Sequence, residues 1–176
     1  MYKRQGLDHA IDKMDEIIWA LDPKRDTLQS TVQFIEQQAR EAAEDHGLKF
    51  RADVQVPRTP VHLAAGHRRE LMLLAREAIR NITDHAQAST LWVKWIALDD
   101  AVELSIRDDG QGFDAVVGPN GRHGLANMHA RAERLDGTLR IERQKPAGTR
   151  VLLRFPLLGI TRSDDAVDVD DDHIAP

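Results

Sequence analysis

The stretch "SIRDDGQGFDAVVGPNGRHGLANMHARAERLDG", residues 105–137, decides how this chain is read. Its first residues finish an alternating run, "AVELSIRDDG", the pattern of a strand with one buried face. Asp108 closes that run, and Gly110 and Gly112 follow it. The last residues, "GLANMHARAERLDG" (124–137), have helical spacing and a glycine, Gly137, to end the helix. Two glycine clusters therefore sit between a strand and a helix, joined by a short loop. Either cluster can be loop punctuation. Glycine also lets backbone approach a flat ligand closely, and the first turn of a helix carries free N–H groups that attract anions.

Working outward, residues 66–85, "GHRRELMLLAREAIRNITDH", form the strongest helix, with Leu71, Leu74, Ala75, Ala78, Ile79 and Ile82 as its buried stripe. "STLWVKWIALDD" and "AVELSIRDDG" read as a hairpin turning at Asp99-Asp100. "TLRIERQKPAGTRVLLRFPL" reads as another, turning at Pro146-Ala147-Gly148. Residues 48–56 alternate as a half-buried strand. Residues 26–46 form a helix with Asp26 as N-cap and Gly47 as C-cap. Residues 7–22 place Leu7, Ile11, Met14, Ile18 and Leu21 on one helical seam that Pro23 ends. The order ααβαββαββ predicts an α/β sandwich, one sheet with helices on one face.

Bulk properties bound the function. The 176 residues are 41% apolar and 30% charged, an ordinary globular balance. A net charge of −5 gives no footprint for nucleic acid. The absence of cysteine excludes disulfides, thiolate metal sites and thiol catalysis, and suits a reducing cytoplasm. Runs such as "VLLRFPLLGI" are too short to span a bilayer. The opening "MYKRQ" has no apolar stretch behind it; it reads as a translated sequencing adapter, with the expectation that the gene continues upstream. Residues 161–176 carry six aspartates and read as a solvated acidic tail, a weak cation site being the alternative.

Four constellations carry chemistry. Glu77 and Asn81 lie four apart on one face of the strongest helix, and His85 continues that face. A carboxylate beside a carboxamide suits Mg²⁺, which takes hard oxygen ligands and keeps several waters. A solvated polar face is the alternative. Asp108, held at a strand end before Gly110 and Gly112, can accept a hydrogen bond from an exocyclic amine such as adenine N6; a tight turn is the alternative. In "GRHGLANM" the N–H groups of Gly124, Leu125 and Ala126 open a helix and can meet a phosphate. In "GTRVLLRF" Thr149 enters the last strand, where its hydroxyl can do the same.

Each signal is common alone; their order is not. A helix with E-x3-N, a strand with D-x-G-x-G, a helix opening G-L-x-N-M and a final strand opening G-T fall within 73 residues. This order resembles the histidine-kinase-type ATPase domain. Its N box corresponds to "REAIRNITDHAQAS", its glycine boxes to "DDGQGF" and "GRHGLANM", and its last box to "GTRVLLRF". "IIWALDPKRDTLQSTVQFIEQQARE" resembles the linker region of sensor kinases that signal to response regulators with helix-turn-helix outputs.

The resemblance implies a two-layer α/β sandwich with a mixed, mostly antiparallel sheet, preceded by the remnant of a second dimerisation helix. It divides the chain into that remnant and linker (1–24), an ATP-binding catalytic domain (25–158) and the acidic tail (159–176). It implies ATP and Mg²⁺ as cofactors. Asp108 would read adenine, with Gly110, Gly112 and Phe113 around it. Asn81 would hold Mg²⁺, with Glu77 as catalytic helper and water-mediated ligand. His85, Arg122, His123, Gly124, Leu125 and Thr149 would complete the nucleotide contacts, under a lid formed by residues 114–123. The phosphoryl group would pass to a histidine outside this chain and then to an aspartate of a receiver domain. The full protein would be a homodimer through its dimerisation helices, with this part cytoplasmic and any membrane segment upstream.

Three departures accompany the match. Asp84 stands where the family often has a basic residue before the N-box histidine, and Arg122 stands where its second box usually has a glycine. No segment has the surroundings of a phosphoacceptor histidine. Three other readings stay open: a nucleotide-pocket binding module without kinase activity, a serine kinase of the type that inhibits sigma factors, and an ATP-driven clamp.

Overall fold

The computed structural model describes residues 25–112 and 119–157, with the side chains of 119–123 outside that description. The helix expected over 7–22, the linker at Pro23 and the acidic tail fall outside the described residues.

Helix α1, Leu28–Asp45, is capped by Thr27, whose hydroxyl accepts the Ser30 amide at 3.1 Å. The cap expected at Asp26 is displaced by one residue because Asp26 is engaged elsewhere. Its carboxylate contacts His62 Nδ1 at 2.9 Å, and its carbonyl accepts the Leu63 amide. Gly47 follows the helix at φ +68°, the left-handed backbone that ends a helix most easily with glycine.

Strand β1, Lys49–Gln55, pairs in parallel with β2, Thr90–Ala97, through the crossover helix α2, Ala65–Asn81. Strands β2 and β3, Ala101–Asp108, form the expected antiparallel hairpin. Helix α3, Pro119–Arg134, precedes the second hairpin, β4 (Thr138–Arg143) and β5 (Thr149–Pro156). The five-stranded sheet runs β1-β2-β3-β5-β4, mixed and mostly antiparallel. Its inner face presents Val93, Trp95, Leu104, Ile106, Leu153 and Phe155, all buried beneath the apolar stripes of the helices. Leu28, Val32 and Ile35 of α1, Leu71, Leu74 and Ala78 of α2, and Met128 and Ala132 of α3 supply those stripes. Burying large side chains of this kind stabilises the fold by about 1.5–3 kcal/mol each.

Three local expectations change. The alternation over 48–56 implies a half-buried strand, yet Ala52 is exposed and Val54 is 40% exposed. Strand β1 is an edge, and at Phe50 it is covered by α1, whose Arg40 stacks over the ring at 4.7 Å. Helix α3 begins at Pro119, five residues before the expected start at Gly124; proline suits a first helical position because its missing N–H needs no partner there. At its other end Asp136, not Gly137, takes the left-handed conformation, at φ +50°. Gly137 serves instead for space, since a Cβ there would lie 2.6 Å from the Arg154 carbonyl oxygen.

Candidate nucleotide site

Asp108 ends β3 on the inner face of the sheet and is 2% exposed. Its Oδ1 accepts the Gly110 amide at 2.8 Å and its Oδ2 the Thr149 amide at 3.2 Å. Burial raises its pKa above the usual carboxylate value, against the pull of those two amides; the neighbouring charge of Asp109 pushes the same way as burial. Each carboxylate oxygen keeps a lone pair for a further donor.

The glycines around it are set by close approach. A Cβ on Gly110 would collide with the Ala86 carbonyl, and one on Gly148 with the Asp108 carbonyl. The Ala86 carbonyl is in position because α2 does not run on as an α-helix to residue 85. It widens into a π-helical turn, Ile82–Ala86, which ends at Gln87 in left-handed conformation. That carbonyl accepts the Gln111 amide at 2.9 Å, and the Gln111 side chain donates to the His85 carbonyl at 2.9 Å. The N-terminal glycine loop is thus sewn to the end of α2 by backbone groups.

Asp109 is a residue that sequence reasoning missed. Its carboxylate accepts the Ser89 hydroxyl at 2.6 Å, the Ser89 amide at 2.8 Å and the Thr90 amide at 2.9 Å. Burial pushes its pKa up, but these hydrogen bonds outweigh that and hold it at about 2. It joins the end of β3 to the start of β2 directly beside Asp108. The only sequence signal was a second aspartate in a D-D-G turn, which usually reads as turn chemistry.

On α2, Glu77 and Asn81 do share a face. Glu77 is held by Arg80, whose Nη2 donates to both carboxylate oxygens at 2.9 Å. Among the described residues, nothing hydrogen-bonds the Asn81 side chain. A Cβ on Gly124 would collide with Glu77 Oε1, so α3 passes directly over that carboxylate. Glu70, two turns back on α2, fastens α3 through Arg131 at 2.8 Å and Arg134 at 3.3 Å. No group of three or more His, Asp or Glu able to hold a metal occurs among the described residues. The available donor set is a carboxamide, a carboxylate and waters, which suits a weakly held Mg²⁺ shared with phosphates and not a dedicated metal cage.

Other expected residues are placed differently. His85 is exposed and contributes only its carbonyl to the loop. Thr149, expected at a phosphate, lies against Asp108 through its amide and hydroxyl. Gly124, Leu125 and Ala126 lie within α3, not in its first turn, so their N–H groups face intrahelical carbonyls. Arg122 and His123 lie on the same helix, their side chains outside the described residues, as is Phe113 entirely. Residues 119–123 of the expected lid are helical. Asp84 is exposed and accepts the Thr83 hydroxyl at 3.3 Å.

The nitrate/nitrite sensor protein NarX of Escherichia coli K12 is 31% identical over 69% of this chain, which spans 20% of NarX. The signal transduction histidine-protein kinase/phosphatase DegS of Bacillus subtilis is 36% identical over 49% of the chain, covering 23% of DegS. A structure of the blue-light activated histidine kinase EL346 of Erythrobacter litoralis superposes with a TM-score of 0.66 at 17% identity, over 87% of this chain and 54% of that one, which bears on the fold alone. The family described as histidine kinase-, DNA gyrase B- and HSP90-like ATPase matches residues 66–159, the region holding α2, both glycine clusters and β5. With its sheet order, its glycine loop and this match in agreement, the chain belongs to the histidine kinase-, DNA gyrase B- and HSP90-like ATPases.

Proposed function

We propose that residues 25–158 are the ATP-binding catalytic domain of a two-component sensor histidine kinase, preceded by the remnant of a dimerisation helix and followed by an acidic tail. The observation that carries the reading is the buried Asp108 carboxylate, fixed by the Gly110 and Thr149 amides at the mouth of a glycine loop that approaches α2 too closely for any side chain. Mg-ATP, when bound, supplies the transferable phosphoryl group and the charge neutralisation that its transfer needs.

The chain's own residues divide the remaining work. Asp108 accepts a hydrogen bond from the adenine amine, and its raised pKa falls on binding because the donor favours the ionised carboxylate. Gly110 and Gly112 leave room for the base. Asn81 offers its oxygen to the ion. Glu77, released from Arg80, holds a coordinated water or takes a proton from the attacking imidazole; Arg80 is then free to meet a phosphate. Gly124 and Leu125, within α3 where it passes over Glu77, bound the phosphates. His85, Arg122, His123 and Phe113 are proposed as further nucleotide contacts, and Thr149 acts through Asp108.

The receiving histidine lies on a dimerisation helix outside this chain, and the next acceptor is an aspartate of a response-regulator receiver domain. The full protein is a homodimer, with this part cytoplasmic. Among the described residues no helix is long and apolar enough to cross a membrane.

Titration with a fluorescent ATP analogue in the presence of Mg²⁺ tests the reading. The parent chain binds, and Asp108→Asn weakens binding at least tenfold, since one buried charge-assisted hydrogen bond is worth about 1.5–3 kcal/mol. Equal binding by both proteins, or none by the parent, overturns it.

A further inference from the structure

The sheet has a second face, which the helices among the described residues leave open. Three rows of side chains cross it in register. Arg51, Trp92, Arg107, Arg150 and Glu142 form one; Asp53, Lys94, Ser105, Leu152 and Arg140 the next; Gln55, Ile96, Glu103, Arg154 and Thr138 the third. Six cations thus face three carboxylates. Lys94 is paired with Asp53 at 2.7 Å and Arg154 with Asp100 at 3.3 Å. Among the described residues, no carboxylate lies within ion-pair distance of Arg51, Arg107, Arg140 or Arg150. Arg107 is spread over the Trp92 ring at 4.3 Å, and Arg150 Nε donates to the Ser105 hydroxyl at 2.9 Å, so two of the four guanidinium groups are held in place.

This excess is unusual for the chain that carries it. Outside residues 158–176 the sequence has 23 basic and 23 acidic residues, a balanced total. The whole net charge of −5 resides in those last residues, where Asp164, Asp165, Asp168, Asp170, Asp171 and Asp172 accompany a single Arg162. Val167 and Val169 alternate with Asp168 and Asp170, so an extended chain directs carboxylates to one side and valines to the other.

We propose that the acidic tail of this chain docks on the open basic face of its own sheet, its aspartates over Arg107, Arg150, Arg51 and Arg140 and its valines against the half-buried side chains of Trp92, Ile96 and Leu152. The tether permits it. The chain leaves β5 at Leu157, whose amide donates to the Asp100 carbonyl beside this face. Nineteen residues follow, reaching about 60 Å when extended, against about 19 Å across five strands. A short tether also holds the aspartates at roughly millimolar effective concentration, so weak individual pairs suffice.

The chain has no cysteine, so Ala175→Cys gives one attachment point for a nitroxide on the tail. In the full chain labelled with ¹⁵N, the amide signals of Trp92, Arg107 and Arg150 should lose at least half their intensity at about 50 mM salt. They should recover at about 1 M, where screening acts within about 3 Å. Changing the six tail aspartates to asparagine, which leaves the folded domain untouched, should remove the effect at low salt; Arg107→Glu with Arg150→Glu should do the same. Loss of signal spread over both faces, or none, overturns the proposal and leaves the face to an outside partner. So does a loss that persists in the asparagine variant. A loss that arises only between labelled and unlabelled copies in a mixture assigns the contact to a second molecule, and overturns it too.

Discussion

Replacing Asp109 by asparagine removes a charge while keeping the shape and one acceptor oxygen for the Ser89 and Thr90 amides; the Ser89 hydroxyl loses its acceptor to an NH₂ group. The carboxyl titrates at about 2 in the folded protein against 3.8 ordinarily. At about 1.4 kcal/mol per pH unit, that difference sets an upper limit near 2.5 kcal/mol; solvent screening at this partly exposed site brings it to about 1–2 kcal/mol. A depressed pKa means stability that is fully present above about pH 4 and is lost as pH falls towards about 2. Asp109→Asn should therefore unfold about 3–8 °C below the parent at pH 7. The gap should close as both proteins are brought to pH 2–3. Urea unfolding followed by circular dichroism across that range measures it. Equal stability at pH 7 would refute the hydrogen-bond assignment, and a gap unchanged at pH 2 would refute its electrostatic origin. Because Asp109 neighbours Asp108, the variant should also bind an ATP analogue several-fold more weakly while it remains folded.

Three other outcomes follow from the same geometry. Gly110→Ala forces the Ala86 carbonyl aside and should cost about 1–3 kcal/mol with at least tenfold weaker ATP binding, whereas Gly66→Ala on α2, where a Cβ meets nothing within 4 Å, should stabilise by about 0.5–1 kcal/mol; chemical denaturation compares the two. Asn81→Ala should abolish the Mg²⁺-dependent part of nucleotide affinity and leave affinity in EDTA unchanged, read by calorimetry. Glu70→Gln breaks the half-buried tether to Arg131 and should destabilise by about 1–2 kcal/mol, with faster amide exchange along α3 than along α2.

The elements were legible where a pattern repeats along a segment. The buried stripe of α2 and the alternation of β2, β3 and β5 read directly, because each follows from one period and one buried face. What did not read were features set by partners distant in sequence. Asp26 loses the cap to Thr27 because of residues 61–63; β1 is exposed because it is an edge, flanked by β2 alone; Asp136 takes the left-handed turn beside Gly137, which must pass the Arg154 carbonyl. The site shows the same division. Asp108, Gly110 and the Glu77–Asn81 face were visible as spacings. Asp109, the π turn and the Arg80 clasp on Glu77 were not, since their roles arise only once β2, β3 and α2 meet.

The two ends of the site differ in how much is assembled beforehand. Around Asp108 the hydrogen bonds to Gly110 and Thr149, and those joining Gln111 to Ala86 and His85, are all internal to the protein. Ordering of that socket is completed in folding, so a ligand docking there meets little further entropy loss. Discrimination among bases should accordingly appear in dissociation rates and change little in association rates. A chemically different base would leave the buried carboxylate unanswered and depart sooner, while its rate of arrival stayed nearly the same.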